Sequence, residues 1–126
     1  MKFTTNIVLA AMLSLLAATA LHAAEANYPS RPIRIIVSFP PGATTDVIAR
    51  IMGQKLTEAW GQQVVVDNRG GAGGNIGIGI AANSAPDGYT ILFVSSSLMV
   101  NPSLYRSVPY DPNKSFAPIS NLGLTP

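Results

Sequence analysis

The sequence contains no cysteine. Disulfides, thiolate nucleophiles and cysteine-based zinc sites are therefore excluded within it. It holds one histidine, His22, in or beside an apolar N-terminal run. Past that run there is no imidazole, which excludes the usual zinc sites and serine–histidine relays among these residues. Basic residues form no run, and their scatter argues against a nucleic-acid surface. There are no internal repeats. A P-loop would need lysine and serine or threonine after its last glycine, yet Asn75 follows Gly74. A G-x-G-x-x-A pattern at Gly77, Gly79 and Ala82 starts about a turn into a helical segment instead of directly after a strand, so it fails as a dinucleotide site. No acid, base and nucleophile constellation stands out, and the expectation is a protein that is not an enzyme and carries no cofactor or metal.

What is present begins with Met1-Lys2 and a run of small apolar residues from Ile7 to Leu21. The run is short and alanine-rich, and small residues follow it, as in a secretory signal peptide. Cleavage could follow Ala20, Ala23 or Ala26, and Ala24-Glu25-Ala26 fits best because Asn27 then opens a polar segment. The alternative is an uncleaved membrane anchor. Residues 1–26 are thus expected to be a leader and residues 27–126 the mature piece. Without Lys2 and Glu25, that piece has 7 basic and 5 acidic side chains, net +2. An exported chain without disulfides fits a bacterial periplasm better than a disulfide-built extracellular module.

In the mature piece Ile33–Ser38 is an apolar, β-branched run, suited to a parallel strand covered on both faces. Phe39-Pro40-Pro41-Gly42-Ala43-Thr44-Thr45-Asp46 follows, then helical periodicity to Trp60. Val47, Ile48, Ile51, Met52, Leu56, Ala59 and Trp60 form one broad stripe, with Arg50, Gln54, Lys55 and Glu58 opposite. Thr44 or Thr45 is expected to cap this helix, Asp46 to complement its dipole or simply cap it, and Gly61 to end it. A second strand at Gln63–Asp67 leads to Asn68-Arg69-Gly70-Gly71-Ala72-Gly73-Gly74-Asn75 and a short helix within 76–85. Thr90–Ser95 is a third strand, ending in Ser95-Ser96-Ser97. Segments 101–105 and 108–112 are punctuated by proline and expected to be irregular or short helical, and 116–122 is expected to be another strand.

A helix mouth leaves amide N–H groups unpaired and favours an anion. The candidate ligand-binding residues are therefore Phe39, Pro41, Gly42, Ala43, Thr44, Thr45 and Asp46. The glycine loop adds Gly73, Gly74 and Asn75, and the third strand adds Ser95, Ser96 and Ser97. In an open α/β sheet these lie beyond the carboxyl ends of the strands, where ligands bind. For the glycine loop a tight packing turn is an equal alternative, and for the serines plain capping.

Eight segments occur in a set order: Tyr28–Val37, Phe39–Gly42, Asp46–Arg50, Val64–Arg69, Gly71–Gly77, Pro86–Thr90, Asn101–Tyr105 and Pro109–Pro112. In that order they resemble the Bug family, the TctC-like extracytoplasmic solute receptors of tripartite tricarboxylate transporters. The resemblance implies a periplasmic binding protein of type II-like α/β fold, with two lobes closing over a small carboxylate that is passed to a membrane permease. It implies a cleft at 39–45 and 95–97, and a monomer at full length. A sensor module with the same pocket is the alternative, and an enzyme completed by absent residues a weaker one. Such receptors are longer, so this chain is expected to be the N-terminal part of the first lobe, of marginal stability alone. Two departures stand out. Ala43 replaces a second glycine, so a Cβ is expected to crowd the pocket or forbid a positive φ. Gly70 stands where proline often follows the arginine, which should loosen the loop.

Overall fold

The computed structural model describes residues 28–123, and the proposed leader and its cleavage site lie outside them. A compact unit begins at Arg31. Strand β1 (Ile33–Val37) runs in the middle of a three-stranded parallel sheet of order β2-β1-β3, with β2 at Val64–Asn68 and β3 at Thr90–Phe93. Ile35 pairs with Val66 on one side and Ile91 on the other. A central parallel strand is covered on both faces, which is why Ile33, Ile35, Ile36 and Val37 are all buried.

Helix α1 (Thr44–Trp60) joins β1 to β2, and α2 (Asn75–Ala82) joins β2 to β3. Parallel crossovers are right-handed. One connection moves outward from β1 and the next returns past it, so the two helices cover opposite faces. Ile35, Val37 and Ala49 form the core under α1, with Phe39, Val64, Val66, Ile91 and Phe93 around it. Ile78 of α2 is wholly buried. A third helix, α3 (Ser97–Leu104), follows β3 and contains Pro102.

Three expectations need correction. The fully buried residues of α1 are Asp46, Ala49 and Gly53, and of the expected apolar stripe only Met52 and Leu56 are half-buried. Val47 (49% exposed), Ile48 (39%), Ile51 (57%) and Trp60 (38%) face away. The small face wins because it lets the helix come close: a Cβ on Gly53 would stand 3.5 Å from Val64 and 3.6 Å from Val66. Residues 116–122 form no strand and pair with none of the three strands described. Neither Thr44 nor Thr45 caps α1. Its N-cap is Ala43, with no side-chain cap bond. Gly61 does end the helix, with φ 66° and its amide donating to Thr57.

Candidate functional site

The parallel strands put the ends of β1, β2 and β3 on one edge. The Phe39–Ala43 turn, the glycine loop and the Ser95–Ser97 turn therefore all leave from that edge. They also touch. A Cβ on Gly70 would come within 3.2 Å of Pro40, and one on Gly74 within 3.4 Å of Ser38. Gly70 thus packs against the first turn, and a larger residue there would press on it. One on Gly73 would stand 2.7 Å from the Tyr105 hydroxyl, just past α3.

The first turn is held by Asp46, which is buried. Its Oδ2 accepts from the Gly42 amide (2.8 Å) and Arg50 Nε (3.1 Å), and its Oδ1 from Asn68 Nδ2 (2.9 Å) and Arg50 Nη2 (3.0 Å). Asn68 Nδ2 also reaches the Phe39 carbonyl at 3.1 Å. One carboxylate thereby ties the turn, the helix and the end of β2. The Gly42 amide, then Arg50 and Asn68, outweigh burial and lower its pKa to about 2. The bond to Gly42 is the back-reaching half of a capping box, one residue further upstream than usual. It ties the preceding turn to the helix and leaves the first helical amides uncapped.

The amides divide into used and unused. Ala43 N–H donates to the Pro40 carbonyl, and Asp46 and Val47 N–H to the Ala43 carbonyl. Thr44 and Thr45, the first two residues of α1, have amides with no intrahelical acceptor. In the glycine loop the Gly74 amide donates to the Gly71 carbonyl and the Asn75 amide to that of Ala72. Ile76 and Gly77 stand in the first turn of α2 with amides likewise lacking a helical acceptor. Positive φ at Gly71 (123°), Ala72 (49°), Gly73 (65°) and Gly74 (96°) turns the chain into α2. Ala43 has φ −67° and ψ 157°, so the expected backbone conflict with a positive φ is absent.

Of the remaining candidates, Pro41, Gly42, Thr44 and Gly73 are exposed, Phe39, Ala43 and Thr45 half-buried, and Gly74 and Asn75 buried. Ser95 and Ser96 are exposed and Ser97 half-buried. The Ser95 hydroxyl is engaged locally: it accepts from the Ser97 amide and donates to the Ser97 hydroxyl, each at 3.3 Å. Two buried hydroxyls at this edge, Ser38 Oγ and Thr45 Oγ1, have no partner among the described residues.

A polar cluster that the residue types alone did not reveal lies behind the glycine loop. Asn101 Nδ2 donates to the Gly73 carbonyl (2.9 Å) and to Asn75 Oδ1 (2.8 Å). The Tyr110 hydroxyl donates to the same Asn75 oxygen at 3.1 Å. Burial raises the Tyr110 pKa, so the phenol stays a donor. Asparagine before proline, inside an otherwise apolar segment, was the available signal. Among the described residues no cluster of acids, histidines or cysteines could hold a metal.

The chain is 51% identical over 102 residues to protein BugT of Bordetella pertussis, covering 79% of this chain and 31% of BugT. It superposes on the periplasmic binding protein BugD with a TM-score of 0.70 at 43% identity, over 73% of this chain and 31% of that one. It is also similar to Rpa4515 of R. palustris, solved with adipate, with a TM-score of 0.66 and 38% identity, over 68% of this chain and 29% of that one. The chain thus spans about a third of the length of these proteins. The model of the tripartite tricarboxylate transporter family receptor, TctC, matches residues 48–126, and the chain belongs to that family.

Proposed function

We propose that this chain is the first part of a periplasmic receptor that binds a small carboxylate and delivers it to the permease of a tripartite transporter. In this reading residues 1–26 are the export leader and residues 27–126 begin the first lobe. The observation that carries it is the pair of helix mouths on one sheet edge. Thr44 and Thr45 at α1, and Ile76 and Gly77 at α2, offer amides that no helical carbonyl takes. Such donors, backed by two helix dipoles, favour an anion without an arginine clamp. The two unpaired buried hydroxyls beside them mark an edge whose hydrogen bonding is incomplete. Adipate in a relative of 38% identity agrees in ligand class. The binding residues in this reading are Phe39, Pro41, Gly42–Thr45, Gly73–Asn75 and Ser95–Ser97, with Asp46 shaping the turn.

The test is a thermal-shift panel of mono-, di- and tricarboxylates and their neutral amides on the full-length gene product. A ligand bound only by the folded form raises the melting temperature with concentration. At least one acid should do so and its amide should not. A folded protein that no acid shifts would refute the reading.

A further inference from the structure

We infer that Asn101 and Tyr110 are positioning residues that fix the Asn75 side chain with its NH2 outward, making it a ligand-facing donor that selects a carboxylate oxygen over an amide NH2. This rests on the carboxylate reading above.

The argument is one of donor and acceptor identity. The Gly73 carbonyl can only accept. The Asn101 side-chain atom 2.9 Å from it must therefore be the NH2. The same NH2 lies 2.8 Å from Asn75, so Asn75 must answer with its oxygen. The Tyr110 hydroxyl donates to that oxygen from a second direction. With the oxygen held twice, the Asn75 NH2 points the other way. A backbone carbonyl thus sets the orientation of two asparagines in series, which settles the amide ambiguity that asparagine otherwise carries.

Asn75 is 5% exposed and Asn101 4%. The Asn75 NH2 has no partner among the described residues and is not one of the sealed, unpaired atoms there, which are Ser38 Oγ and Thr45 Oγ1. It belongs to the first residue of α2, and the next two residues, Ile76 and Gly77, carry amides that no helical carbonyl takes. A largely buried residue presenting one unpaired donor at a helix mouth is arranged for an acceptor. Turned over, it would present an oxygen and repel a carboxylate.

The experiment uses the ¹⁵N-labelled full-length gene product and adipate as probe. Without ligand, the Asn101 NH2 resonances should exchange slowly with water and those of Asn75 fast; the reverse pattern overturns the inference whatever the ligand. Asn101→Asp cannot donate to Gly73, and its carboxylate draws the Asn75 NH2 inward. Asn101→Asp and Asn75→Ala should each weaken adipate about tenfold. The double variant should lose no more than either alone, whereas independent structural damage would multiply. Both single variants should also narrow the preference for adipate over adipamide. Tyr110→Phe keeps the chain of donors and loses one support, so it should weaken adipate by roughly two- to threefold, and it serves if Asn101→Asp does not fold. Wild-type adipate affinity in Asn75→Ala or Asn101→Asp, or multiplied losses in the double variant, would overturn the inference. If adipate does not bind the wild type, the probe choice fails there, and the exchange pattern alone decides the orientation.

Discussion

Two glycines on opposite sides of the sheet should respond in opposite ways to the same added methyl. Gly53 is in the middle of α1, buried, with helical backbone. An added Cβ would stand 3.5 Å from Val64 Cγ1, 3.6 Å from Val66 Cγ2 and 3.9 Å from Ile35 Cδ1, all ordinary contacts. Gly53→Ala removes the backbone entropy cost of glycine in a helix, about 0.8–1 kcal/mol. The methyl is also buried, worth up to about 0.8 kcal/mol if fully so. A net gain of about 1–1.5 kcal/mol is expected. Gly77 lies in α2 against β1. Its Cβ would stand 2.6 Å from the Arg69 carbonyl oxygen and 2.9 Å from Ser38 Cα. Both are backbone atoms, so the helix must move as a body. The overpacking cost of about 1–3 kcal/mol or more outweighs the same propensity gain. Urea titration of the full-length gene product followed by circular dichroism measures both. The close small-residue packing of α1 is wrong if Gly53→Ala destabilises, and the tight seat of α2 is wrong if Gly77→Ala is neutral.

Other outcomes follow from the same geometry. Thr45→Val removes a buried hydroxyl with no partner and should leave stability unchanged or raise it by up to about 1 kcal/mol, as read by chemical denaturation; a loss would mean the hydroxyl is satisfied. The Asp46 pKa falls from 3.8 to about 2 on folding. Its contribution is therefore complete above the unfolded value and disappears as pH drops through the folded one. Wild type should lose more stability between pH 4 and pH 2 than Asp46→Asn, and parallel acid curves would refute the role given to this carboxylate. Arg31 reaches Asp87 at 2.7 Å, but both are well exposed, so Arg31→Ala should cost less than about 1 kcal/mol in the same titration.

The sheet was legible because β-branched runs and turn residues mark parallel strands locally. Ile33–Ser38, Gln63–Asp67 and Thr90–Ser95 were expected, and strands start and stop within two residues of those bounds. Periodicity also found α1 but set its buried face too far round, since Met52 and Leu56 are half-buried while Val47, Ile48 and Ile51 are exposed. It reports where large apolar residues cluster, and cannot report that Ala49 and Gly53 allow a closer approach. Asp46 was legible as a capping residue, and its bond to the Gly42 amide agrees; the threonine cap did not form, and the partners Arg50 and, from another strand, Asn68 could not be read locally. Asn101 and Tyr110 act on the glycine loop from 26 and 35 residues beyond Asn75, and no local pattern encodes such a contact. Phe116–Leu122 has strand composition, but a strand needs a neighbour.

The donors gathered at the strand ends are peptide amides, hydroxyls and a carboxamide, none of which titrates in ordinary buffers. The acid among them, Asp46, stays ionised down to about pH 2. Such an edge keeps its polarity from mildly acidic to alkaline surroundings. If these helix ends hold an acid as proposed, any dependence of binding on acidity comes from the solute's own ionisation.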